Sequence, residues 1–242
     1  MGRYAGRSTL PGSIWVRRCV PEGQRGTAGP TMRGGRDRVG PAVPASLRFR
    51  ETAMPNEQNN PSASQVLKAE HEVILRVLGV LNKLVDRFNN GQGFEAEAFG
   101  KCVEFFRLFA DACHHGKEED LLFPKLESRG IPRNGGPIGV MLHEHKLGRE
   151  IVKRMAAALE APRSDKQAQV RCVQAAREFM ALLSQHIYKE DNILFVMGDR
   201  VMTEADQKEL GASFCHVECR KFQGKTRQQL EALEGELVRA WT

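Results

Sequence analysis

The feature that most constrains this chain is a motif written twice. His114-His115-Gly116-Lys117-Glu118-Glu119-Asp120-Leu121-Leu122-Phe123 and His186-Ile187-Tyr188-Lys189-Glu190-Asp191-Asn192-Ile193-Leu194-Phe195 share the pattern H-x-x-K-E-acid-x-[LI]-L-F. A Glu-His pair precedes each copy, Glu70-His71 and Glu144-His145, and the intervals from His71 to His114 and from His145 to His186 are 43 and 41 residues. The chain therefore reads as one helical hairpin repeated. On an α-helix, residues four apart share a face about 6 Å apart along the axis, so His114 with Glu118, and His186 with Glu190, can address one centre.

Apolar spacing supports the helices on which this depends. From Ser62 onward it follows the helical period, Gly and Pro fall between segments, and no strand alternation competes. We expect long helices over about 62–90, 94–128, 136–161 and 164–197, with a bend at Pro124 and Ser164 as a cap. Short links between long helices imply antiparallel neighbours, hence an all-α, up-down-up-down four-helix bundle. Two shorter helices, near 203–212 and 226–240, are expected as appendages outside it. The implied organisation is a disordered Arg/Gly/Pro-rich leader over 1–61, a metal-binding bundle over 62–197 and a C-terminal helical extension over 198–242.

Charge separates the leader from the rest. The chain carries +6, but residues 1–53 hold ten Arg, no Lys and three acids (Glu22, Asp37, Glu51), leaving the remainder at −1. The body gives no electrostatic case for nucleic acid. An Arg-rich leader can be an organelle transit peptide. We instead expect translation to start near Met54, which opens the polar run into the first helix. No apolar run approaches the roughly 20 residues that span a bilayer, and no secretory signal core is seen, so neither a membrane nor export is expected and a cytoplasmic location is. Six cysteines without a paired framework fit reduced thiols.

Neighbouring apolar residues indicate where the motif residues face. His71 shares a stripe with Leu67, Ile74, Leu75 and Leu78; His114 follows Phe106 and Ala110; His145 is flanked by Ile138, Met141, Leu142 and Val152. His186 and Glu190 run with Phe179, Leu182, Leu183, Ile193 and Leu194. Four histidines and two glutamates should thus point into the bundle. Unpaired, each would cost a few kcal/mol or more; shared cations would satisfy them together. Four imidazoles and two carboxylates exceed one tetrahedral zinc and suit two cations with bridging carboxylates. An oxo or hydroxo bridge would bring each to five donors, leaving an open position for a small ligand. Donor type alone leaves iron, manganese and zinc open.

At these residues the chain resembles the hemerythrin-like, cation-binding HHE family of non-haem di-iron bundle proteins. The resemblance rests on Glu70-His71, the His114 to Phe123 run continuing into Pro124, Met141 to His145 with Gly148-Arg149, and the His186 to Phe195 run. It implies two iron ions, with His71, His114, His145 and His186 as terminal ligands and Glu118 and Glu190 as bridges. Oxygen-carrying members place a further histidine where this chain has Arg149. The resemblance thus runs toward the four-histidine, two-glutamate sites of stress-response and iron-sulfur repair proteins. The implied partners are a diatomic or peroxide ligand and, for an oxidoreductase turning such a ligand over, a redox protein. A metal-stabilised interaction module is a further reading.

Other residues are assigned more modest roles. Glu119, Asp120 and Asp191 should support the ligands or be solvated, with a bidentate or exchanging ligand role left open for Glu119, and His115 should pack or hydrogen-bond near the set. His143 should be exposed, Lys117 and Lys189 surface charges, and Tyr188 a core residue. Cys113 is an oxidisable thiol or simply a buried small side chain. Cys215-His216-x-x-Cys219 reads as incidental rather than as a second metal site.

Overall fold

The structure, a computed structural model, describes residues 61–241. The expectations for the leader and for a start near Met54 lie outside the described residues. Six helices follow in order: α1 (Ala63–Asn89), α2 (96–128), α3 (Pro137–Leu159), α4 (166–201), α5 (Glu204–Glu218) and α6 (Arg227–Trp241). The first four form the up-down-up-down bundle; no strand occurs among the described residues, where one isolated bridge, Phe222 with Lys225, closes the α5–α6 turn. No described helix is long and apolar enough to cross a membrane.

Local chemistry sets the boundaries. Ser62 and Gln65 form a reciprocal capping box at α1: Ser62 Oγ accepts from the Gln65 N–H at 3.2 Å, and Gln65 Oε1 from the Ser62 N–H at 2.9 Å. The turn after α1 uses Gly91 and Gly93 at φ +72° and +100°, where a side chain would be strained. Pro137 opens α3, a position where its missing N–H is no loss. The cap of α4 is Asp165 rather than Ser164, its Oδ1 accepting from the Ala168 N–H at 3.0 Å.

The long helices α2 and α4 are not uniformly α-helical. In α2, wide π turns occupy Phe106–His115 and Glu118–Leu122 between α-helical Ala96–Phe105 and Phe123–Ser128. In α4 a π turn over Glu190–Leu194 separates Lys166–Lys189 from Phe195–Val201. The Phe123 N–H closes on the Glu118 carbonyl and the Phe195 N–H on the Glu190 carbonyl, five residues back in both cases. Pro124 sits in the first turn after the π segment. The repeat makes the same turn with Val196 in that place, so the proline is not its cause.

Two apolar clusters fill the interior. One spans Ile74, Leu81, Phe105, Phe109, Met155 and Phe179; the other gathers Leu67, Phe123, Leu126, Met141, Leu194 and Phe195. The C-terminal helices belong to this core and are not appendages. Leu230, Leu233 and Leu237 of α6 join the first cluster, and Leu210 and Phe214 of α5 join the second. On α1, His71 falls between Leu67 of one cluster and Ile74 of the other.

Candidate metal centre

At that junction the structure brings together all six predicted residues. His71 on α1, His114 and Glu118 on α2, His145 on α3, and His186 and Glu190 on α4 are each at most 3 % exposed. The stripes predicted around them hold in part: Ile74, Met141 and Leu194 are buried, but Leu75 and Ile193 face solvent. His143 is exposed, as expected.

Each residue of the repeated pattern has a visible task. The histidine of each motif places its Nδ1 3.0 Å from the glutamate of the preceding Glu-His pair, His114 on Glu70 Oε2 and His186 on Glu144 Oε2. The acid after each motif glutamate reaches across to the other half: Asp191 Oδ1 lies 2.8 Å from His71 Nδ1, and Glu119 Oε1 lies 2.7 Å from His145 Nδ1. The closing phenylalanine follows the same crossing, with Phe195 stacked on His71 at 5.6 Å between centroids and Phe123 on His145 at 5.9 Å. All four imidazoles thus have a carboxylate on Nδ1, which fixes the tautomer and leaves Nε2 as the donor atom.

Those Nε2 atoms and the two motif carboxylates converge, and apart from His145 with His186 they form no hydrogen bonds with one another. His71 Nε2 is 3.3 Å and His186 Nε2 3.2 Å from Glu190 Oε2. Glu118 directs Oε1 to His114 Nε2 at 3.6 Å and Oε2 to His145 Nε2 at 3.5 Å, so it faces both halves. His145 and His186 bring their Nε2 atoms to 3.1 Å. Among the described residues, seven buried side-chain N or O atoms lack a hydrogen-bond partner. Six of them are His71 Nε2, His114 Nε2 and both oxygens of Glu118 and Glu190. Two four-residue sets have donor atoms within 4.8 Å of one another: His71, His114, Glu118 and Glu190, and His115, Glu118, His145 and His186. Orphaned donors of these types at this spacing fit divalent cations bound by imidazole and carboxylate.

The electrostatics point the same way. Burial, reinforced by the charge of Glu190, pushes the Glu118 carboxyl well above its usual range. Burial also works against the charge of Glu190, but the His186 and His71 imidazoles outweigh it and hold that carboxyl low. A cation between the two carboxylates would remove this conflict.

Several roles were missed by sequence reasoning. Lys117 is not a surface charge, and Lys189 is only partly exposed. Lys117 is fully buried and donates to Glu70 and, at 2.7 Å, to Glu218 Oε1, while Lys189 donates to Glu144. Arg227 of α6 also donates to Glu70. Burial pushes Glu70 up, but Lys117, His114 and Arg227 hold it well below the usual carboxylate range. The recurrence of lysine in both copies was the available signal. Tyr188 is 65 % exposed rather than in the core. Cys113 is a buried free thiol, pushed up to about 12 chiefly by burial, which favours the plain packing role. Arg149 donates from Nε to Asp111 Oδ1 at 2.8 Å and from Nη2 to Glu119 Oε1 at 2.7 Å.

Comparison with known proteins places this architecture. Residues 62–197 match the family model for the hemerythrin HHE cation binding domain. Uncharacterised proteins of Mycobacterium bovis and Mycobacterium tuberculosis are 25% identical over 180 residues, covering 74% of this chain and 70% of theirs. The iron-sulfur cluster repair protein YtfE of Musicola paradisiaca is 29% identical over 147 residues, 59% of this chain and 65% of its own. No solved structure matches.

Proposed function

This chain belongs to the hemerythrin HHE cation-binding domain family, and on that premise we propose that its polar layer holds two iron ions and binds a small diatomic or peroxide ligand. His71 with His114, and His145 with His186, are the paired terminal ligands; Glu118 and Glu190 are shared between the ions. The observation that carries this reading is the set of six orphaned atoms, buried and without a hydrogen-bond partner among the described residues. When bound, iron supplies a Lewis-acidic, redox-active centre for small oxygen and nitrogen ligands.

The chain's own contribution is positional. Glu70, Glu144, Asp191 and Glu119 hold the four imidazoles by Nδ1, and Phe123 and Phe195 fix two ring planes. The apolar clusters on either side exclude water, which strengthens electrostatic interactions within the layer. The relationship to an iron-sulfur cluster repair protein supports a task in stress response or repair, alongside sensing, detoxification or iron handling.

Metal analysis after expression in iron-replete medium is the first test. About two irons per chain are expected; fewer than about one contradicts the reading. Mixing the reduced protein with oxygen, nitric oxide and peroxide then separates the uses. A stable optical adduct supports ligand binding, and repeated turnover with an electron donor supports an oxidoreductase. No spectral response leaves the metals a structural role in an interaction module.

A further inference from the structure

The repeat gives each residue of one hairpin a mate in the other, His71 with His145 and His114 with His186, and one face of the two hairpins differs. On the first hairpin α6 packs along α1 and α2, and α5 against the later part of α2. Val66, Val73 and Leu121 lie against the apolar clusters that these helices help to build. Lys125 and Arg129 pair with Glu209 and Asp206 of α5, each at 2.8 Å.

Among the described residues, the mates of these positions have no such cover. Val140, Leu147 and Ile193 are 47 %, 42 % and 48 % exposed. Met197 and Val201, also exposed, stand where the first hairpin has the cations Lys125 and Arg129, and Tyr188 stands where it has Gly116. Apolar side chains scattered singly over a surface are ordinary, but these are grouped. Val140, Glu144 and Leu147 share one stripe of α3. Glu144 accepts from Lys189 and lies 3.0 Å from His186 Nδ1, which sets that stripe beside the α4 residues Ser184, Gln185, Tyr188 and Lys189.

Charge narrows what can cover this face. Glu144 and Lys189 sit at its centre, one of each sign, beside the neutral Ser184 and Gln185, so a strongly acidic or basic partner finds no net charge to match. A two-fold interface must be complementary to itself, and an adjacent acid and base are. The first hairpin supplies the template: Glu70 takes both Lys117 and Arg227, and Lys117 takes both Glu70 and Glu218. Turned onto its own image, the second face can do the same. Lys189 of the second copy takes the place of Arg227, and Glu144 of the second copy that of Glu218.

We propose that the α3–α4 face is where two copies of this chain join, Tyr188 and its apolar neighbours making the contact that α5 and α6 make on the first hairpin. The pairing does not depend on which ions the polar layer holds.

Sedimentation velocity of the full chain over a dilution series tests this. Wild type should form a dimer that dissociates at about 1 μM. Tyr188→Glu and Val140→Glu, each present twice in a two-fold interface, should weaken the dimer by at least about a hundredfold. Val170→Glu, exposed on the same helix but about 27 Å from Tyr188 along its axis, should leave it unchanged. In dilute protein, where single copies predominate, the helical circular dichroism and unfolding midpoint of each variant should match wild type, because these side chains then meet water. That control separates a lost contact from a lost fold, and Val140→Glu decides the matter if Tyr188→Glu fails it. Wild type remaining a single copy at about 100 μM, or a dimer that both substitutions leave intact, would overturn the proposal.

Discussion

The two copies of the motif place their imidazoles in the same way but differ in what lies behind them. In the first, Glu70 and Lys117 are 1 % and 0 % exposed, because Glu218 and Arg227 from the C-terminal helices close over them. In the second, Glu144 and Lys189 are 13 % and 31 % exposed, and Lys189 lines a shallow groove with Ser184, Gln185 and Tyr188. The motif therefore determines ligand geometry, while remote chain determines contact with water. A buried ion pair also depends on each partner far more than a wet one does.

The largest effects should be equal in the two halves. His114→Ala and His186→Ala should each lower metal affinity by at least about tenfold, read as metal retained after dialysis, whereas His143→Ala retains it. Equal loss in all three would mean that the α3 ligand is wrongly assigned, and a large gap between the first two would break the equivalence of the halves. Phe123→Ala and Phe195→Ala should each cost about 3–5 kcal/mol in denaturant unfolding, since both rings are buried in matching places.

Smaller effects should separate the copies. In the metal-free protein, Glu70→Gln should cost about 3 kcal/mol because it strands the buried Lys117, whereas Glu144→Gln should cost about 1 kcal/mol because Lys189 reaches water. Equal costs would show that the cover from α5 and α6 is energetically idle. At the low end, Tyr188→Ala should change stability by less than about 0.5 kcal/mol, even though it lies two residues from His186. A larger loss would place that ring in contacts its exposure denies.

What the sequence made legible follows from what repeats and what is local. The helices appeared through their apolar period, and the six donor residues through their recurrence at helical spacing. The π turns did not, because a 3.6-residue template has no place for a wider turn. Burial of Lys117 was hidden because it depends on Glu218 and Arg227, far along the chain. The cap at Asp165 was missed by one residue, Ser164 being an equally suitable type. His115 packs and hydrogen-bonds beside the donor set as its position one residue from His114 led us to expect, stacked on His145 with Nδ1 3.3 Å from Asp111 Oδ1.

The matching π turns also bear on insertions and deletions. A π turn behaves as a helix into which one residue has been slipped, and here the wide turn opens at the same glutamate in both halves. Removing one residue just after either glutamate would restore an α-helical rung and rotate everything beyond it by about 100°, carrying Phe123 or Phe195 away from the imidazole it faces.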